Sequence, residues 1–146
     1  MDRIYRNREI LIVDDQQAEI VLLRQGLIDL GFSGKINSLS RGDEVMPYLL
    51  QENTPAEERR LQLPRVMFLD LSMPGMDGFV VLETVKTHPI TARLPVIIFS
   101  NSDRPEDFAQ ANASGAGGYI VKPVHYEDLL NRLRNILDFW MQQDVR

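Results

Sequence analysis

The chain contains no cysteine, which excludes disulfides, thiolate nucleophiles and cysteine-based zinc sites. Histidine is almost as scarce. His88 and His125 are the only two in 146 residues, too few for a histidine metal cluster, and both read as solvated turn residues. No apolar run approaches the roughly 18 residues of a membrane span. The start, Met1-Asp2-Arg3-Ile4-Tyr5-Arg6, lacks the apolar stretch of a secretory leader. An excess of positive charge is missing too: 16 Lys and Arg against 21 Asp and Glu leave a net charge of −5. That balance argues against general affinity for nucleic acid or anionic membranes. The hydrophobic fraction of 44% and charged fraction of 25% are those of a globular protein. The expectation is one cytoplasmic domain over residues 1–146 with its core over 9–140, no output domain, and neither nucleic acid nor membrane as partner.

What is present is a series of short apolar runs, each stopped by a polar group. Val66-Met67-Phe68-Leu69 is too short for a helix and reads as a strand buried on both faces, the habit of parallel sheets. It ends at Asp70, before a loop punctuated by Pro74, Gly75 and Gly78. Ile10-Leu11-Ile12-Val13 ends in Asp14-Asp15, Pro95 to Phe99 ends in Ser100, and Gly118-Tyr119-Ile120-Val121 ends in Lys122-Pro123. Lys35 to Leu39 is a weaker strand suited to a sheet edge.

Between the strands, apolar residues recur with a helical period. Ile20, Leu23, Leu27 and Leu30 mark a helix from Gln16 to Leu30, closed by Gly31. Ser40-Arg41-Gly42-Asp43 reads as a capping box, but Pro47 then falls beyond the first turn, so that helix is either kinked or begins later. The polar, proline-containing stretch Glu52–Leu63 reads as a long exposed connection. Further helices run from Gly78 to Lys86, from Asp103 to about Ser114, and from about Leu129 to Trp140, the last strongly amphipathic.

Five strand–helix alternations predict an α/β fold, a doubly wound five-stranded parallel sheet. The flavodoxin-like (βα)5 order 2-1-3-4-5 puts the weak strand at the edge. In that order Asp14, Asp15, Asp70, Ser100 and Lys122 converge at the carboxyl ends of neighbouring strands, where open α/β sheets do their chemistry. One of the two adjacent acids has the alternative of capping the helix that follows. Hard oxygen ligands favour Mg²⁺, lysine suits a phosphoryl oxygen, and a carboxylate can itself become an acyl phosphate. The set fits phosphoryl transfer, which needs positioning and charge neutralisation. Asp70, on the central strand, is the expected nucleophile.

These residues, with Met73-Pro74, Met76-Asp77-Gly78 and Gly118-Tyr119, resemble the receiver domains of two-component response regulators over Glu9 to Trp140. The resemblance implies Asp70 as phosphoacceptor, with Lys122 and Ser100 assisting. It implies a Mg²⁺ site of Asp14, Asp15, Asp70 and the Ser72 carbonyl, a switch of Ser100 and Tyr119, and a cis peptide before Pro123. The polar insert and the ending Phe139-Trp140-Met141 are similar to small stand-alone regulators paired with phytochrome-type kinases.

The expected function is a phospho-switch served by a sensor histidine kinase. It is not an enzyme beyond its own phosphorylation and dephosphorylation. Two alternatives are an aspartyl-phosphate phosphatase and a pseudo-receiver that only binds. Against the first, Ser72 stands where such phosphatases carry a second Asp; against the second stands the complete five-residue set. Ser72 and Ser102 are placed where side chains can steer an attacking water. On the last helix Phe139 falls away from the apolar arc by the 100° step, leaving Phe139 and Trp140 as an expected contact surface for a homodimer or kinase, with Trp140 and Met141 partly covered.

Overall fold

The computed structural model describes residues 9–51 and 54–141. Met1–Arg6, read above for a leader, and Glu52-Asn53, which open the polar stretch, lie outside them. Strands β1 (Glu9–Val13), β2 (Lys35–Leu39), β3 (Val66–Leu69), β4 (Val96–Ser100) and β5 (Gly118–Val121) form one sheet. All pairings are parallel and the order is β2-β1-β3-β4-β5, as expected. Helices α1 (Gln17–Asp29), α2 (Val45–Leu50), α3 (Ala56–Leu61), α4 (Gly78–Thr87), α5 (Pro105–Ala113) and α6 (Tyr126–Ile136) cover it. None of the described helices is long and apolar enough to cross a membrane.

The two-residue period of the strands divides the core in two. Ile10, Ile12, Phe68 and Phe99 face α1 and α6, meeting Leu23, Leu27, Leu129 and Leu133. Leu11, Val13, Leu69 and Ile98 face the other way, onto Val45 and Leu49 of α2 and Val81, Leu82 and Val85 of α4. A central strand buried on both faces must be apolar at every position, and β3 is. The weaker β2 exposes part of its length at the edge.

Three local expectations are corrected. The stretch read as exposed connection contains α3, whose Arg59 is only 2% exposed. Arg59 donates from Nε to the Leu49 carbonyl at the end of α2 and from Nη1 to Gln62 Oε1 at 3.3 Å. A six-residue polar helix leaves no apolar period to read; a buried guanidinium fixes it instead. The capping box also differs from its expected form. Glu44 rather than Asp43 accepts the Ser40 N–H, at 3.3 Å, while Asp43 pairs with Arg41 at 3.0 Å. The segment opens as a single 3₁₀ turn, Gly42–Glu44, and α2 begins at Val45. Pro47 therefore sits in the first α-helical turn, where its missing N–H costs little.

The third correction is at the end of the chain. Leu137–Met141 form a π turn, and Met141 is fully buried, not partly covered. Met141, four residues on from Leu137, stays on the same side of the helix and packs in the same core cluster. Trp140 is half-buried, its ring against the backbone of Gly117, where a β-carbon would lie 2.8 Å from it. Phe139 is 57% exposed and packs edge-on against Trp140.

Candidate phosphoacceptor site

The backbone ladder runs one residue beyond the strands and so fixes the site. Asp14 N–H donates to the Leu39 carbonyl (3.0 Å), Asp70 N–H to the Val13 carbonyl (2.9 Å), and Lys122 N–H to the Ser100 carbonyl (2.8 Å). Three candidate site residues are thus placed by the sheet itself. Asp14 and Asp15 then divide: Asp14 is buried and Asp15 exposed. Neither caps α1, whose N-cap residue is Gln16; Asp14 Oδ1 accepts the Gln16 N–H at 3.0 Å.

Lys122 Nζ reaches Asp14 Oδ2 at 3.0 Å and Asp70 Oδ1 at 3.9 Å, with all three side chains buried. The ammonium also lies 5.5 Å from the centre of the Phe99 ring. Asp70 is 6% exposed. Its carboxyl is pushed up to about 6, first by burial, then by the carboxylates of Asp14 and Asp15. Lys122 and a hydrogen bond from the Ser72 backbone pull the other way. One ammonium does not balance three acids. Carboxylate oxygens of Asp14, Asp15 and Asp70 lie within 4.8 Å of one another. An all-oxygen set with surplus negative charge and an open side at Asp15 fits a hard divalent cation such as Mg²⁺.

The loop after Asp70 is held by glycine. A β-carbon at Gly78 would sit 2.5 Å from the Asp70 carbonyl oxygen and 2.5 Å from Leu71 Cα, so only glycine lets α4 start this close to Asp70. Asp77 caps that helix, accepting the Phe79 N–H at 2.7 Å.

Ser100 lies buried at the end of the neighbouring strand, its Oγ accepting the Ser102 N–H at 3.1 Å. Tyr119 donates its hydroxyl to the Ser102 carbonyl at 3.0 Å and stacks edge-on with Phe108, ring centres 4.5 Å apart. The Ser102 backbone therefore joins Ser100 to Tyr119, a link that no side-chain pattern could signal. The Ser102 hydroxyl is turned to α5, bonded to Asp107 and to the Arg104 N–H. The peptide before Pro123 is trans, as are all described peptide bonds, against the cis form implied by the resemblance; trans is the lower-energy isomer wherever packing does not impose cis.

Comparison with known proteins agrees with this fold. The probable methanogenesis regulatory protein FilR2 of Methanothrix harundinacea is 31% identical over 132 residues, spanning 90% of this chain and 83% of FilR2. The response regulator Rcp1 of Synechocystis is 27% identical over 133 residues, spanning 91% of this chain and 88% of Rcp1; it has a solved Mn²⁺-bound form. The phosphorylated cyanobacterial phytochrome response regulator RcpA superposes with a TM-score of 0.80 at 27% identity, over 95% of this chain and 97% of RcpA. Residues 10–134 match the response regulator receiver domain, and the chain belongs to that family.

Proposed function

We propose that this protein is a phospho-switch that accepts a phosphoryl group on Asp70 from a sensor histidine kinase in the cytoplasm. The observation that carries the reading is the buried Asp70 carboxyl, 3.9 Å from Lys122 Nζ, at the end of the central strand. An Asp70 oxygen attacks phosphorus in line; the new O–P bond forms as the bond to the kinase imidazole nitrogen breaks. Lys122 meets the charge on the phosphoryl oxygens. Asp14, Asp15 and Asp70, with the Ser72 carbonyl, would hold Mg²⁺, which supplies charge neutralisation when bound.

The switch follows from the new group's hydrogen-bonding demand. The Ser100 hydroxyl turns to donate to a phosphoryl oxygen and gives up the Ser102 N–H. The Ser102 carbonyl, and with it the Tyr119 hydroxyl, then loses its present setting. Tyr119 and Phe108 repack on the face between β5 and α5. Phosphorylation thereby biases two arrangements of one face, the differential contact that a switch requires.

Two contact regions fit the two partners. The kinase must cover the crevice to present its phosphohistidine; Val124, two residues after Lys122, is 93% exposed there. A second copy of the chain is the proposed partner for the exposed Phe139 beside Trp140. Similarity to Rcp1 and RcpA supports a phytochrome-type kinase as the donor. The only covalent chemistry assigned to the chain is its own phosphorylation and the later hydrolysis.

The test is incubation with acetyl phosphate and Mg²⁺, followed by intact-mass measurement. Wild type should gain one phosphoryl group, Asp70→Asn none, and chelation of the metal should abolish the gain. Equal labelling of Asp70→Asn sinks the assignment.

A further inference from the structure

At the end of the sheet opposite Asp70 lies a half-open cavity of about 680 Å³, between α3, the segment leading into β3 and the segment leading into β4. Arg60, Arg65 and Arg93 are among the residues that line it, and no Asp or Glu is among the described ones. This concentration of positive charge is notable in a chain of net charge −5. Arg60 and Arg93 are exposed. The cavity surface is as polar as it is apolar; its apolar share comes from Leu63, Leu94, Ile90 and three prolines, with Leu61 standing 88% exposed.

The walls are also pinned. Arg59, buried, ties α3 to the Leu49 carbonyl. Lys86 Nζ donates to the Leu94 carbonyl at 2.9 Å, and Thr91 Oγ1 to the Val85 carbonyl at 2.7 Å. The Arg65 N–H donates to the Glu9 carbonyl at 2.8 Å. The volume falls inside the range of about 300–1,000 Å³ typical of small-molecule sites, and a lining of arginines beside leucines suits a ligand that is both charged and apolar. Walls held in place before binding lower its entropic cost.

We propose that this cavity binds a small organic anion, an apolar body carrying a carboxylate, sulfonate or phosphate. The apolar part rests on Leu61, Leu63 and Leu94, and the anionic group is held between Arg60 and Arg93, guanidinium being the side chain suited to planar oxyanions. The site is built by the insert helix α3, and it does not depend on the phosphoryl chemistry at the other end of the sheet.

The probe is 1-anilinonaphthalene-8-sulfonate, titrated by fluorescence and by amide and methyl NMR. Saturable one-to-one binding is expected, with shifts centred on Leu61, Ala92 and Leu94. The Arg60→Ala/Arg93→Ala variant should bind at least about tenfold more weakly, the loss of roughly one charge-assisted contact. The uncharged analogue N-phenyl-1-naphthylamine should lose a similar factor, and Asp70→Asn should bind like wild type. A cooperative melt of the double variant checks that its fold is intact. Shifts mapping elsewhere, equal affinity in the double variant, or equal binding of the uncharged analogue would each overturn the proposal.

Discussion

At the scale of single residues, the site is a charge imbalance held in place. Asp70 is buried beside two other acids and one ammonium, and its carboxyl sits near 6, above its ordinary value of about 3.9. In the unfolded chain it loses its proton earlier, so between those values the native state binds more protons. Stability then falls as pH rises through that window and stays lower above it. In metal-free buffer, Asp70→Asn should stabilise the fold at pH 7.5 by about 1–3 kcal/mol, seen as a higher melting temperature, with the gain shrinking toward pH 4. A gain that is constant with pH would show that ionisation of Asp70 is not its source. Mg²⁺ should raise wild-type stability at pH 7.5 by mass action, and should do so less in Asp15→Asn. Calorimetry with and without the metal measures both.

At the scale of elements, legibility tracked the kind of signal each element sends. Strands buried on both faces announce themselves by unbroken apolar runs, as β1, β3 and β4 do, while the edge strands β2 and β5 sent weaker signals and were placed by the strand–helix alternation. The convergence of the polar residues that end them followed from one rule about parallel sheets. Helix α3 sends no such signal: Ala56–Leu61 has four charged residues among six, and it is fixed by one buried guanidinium. The Ser102 link was illegible because its backbone, rather than its side chain, makes the contacts to Ser100 and Tyr119. At about 100° per residue Met141 falls on the same arc as Leu137; it was misjudged because periodicity does not tell how far along the helix the core extends. These readings make two predictions. Arg59→Ala should cost about 1–3 kcal/mol by leaving the Leu49 carbonyl without its donor, with hydrogen exchange accelerating first in α3 amides and last in the sheet. Uniform acceleration would mean that α3 is not a separate unit. Gly78→Ala should destabilise by about 1–3 kcal/mol through overpacking and slow phosphorylation by acetyl phosphate; denaturant unfolding and labelling rates together check this. An unchanged labelling rate would separate the Gly78 contact from the geometry of Asp70.

At the scale of the whole molecule, the parallel sheet separates two ends. The carboxyl end gathers the acids, Lys122 and Ser100, and the opposite end carries the arginine-lined cavity. Between the helices, α5 and the end of the chain offer aromatic side chains for contact: Phe108 over Tyr119, and Phe139 over Trp140. Phe139 is the better target for substitution, since Trp140 is half-buried against Gly117. Light scattering should show wild type gaining mass with phosphodonor, or a larger dimer fraction throughout, while Phe139→Ser remains monomeric with an unchanged melting temperature. Equal masses for the two proteins in both states would place the dimer face elsewhere. The proposed switch depends on which residue accepts the phosphoryl group. The most direct measurement is to label the protein with acetyl phosphate and Mg²⁺, reduce the acyl phosphate with borohydride, and map the product by peptide mass spectrometry. The account predicts homoserine at position 70 and at no other acidic residue; a label on Asp14, on Asp15, or on no residue at all would contradict it.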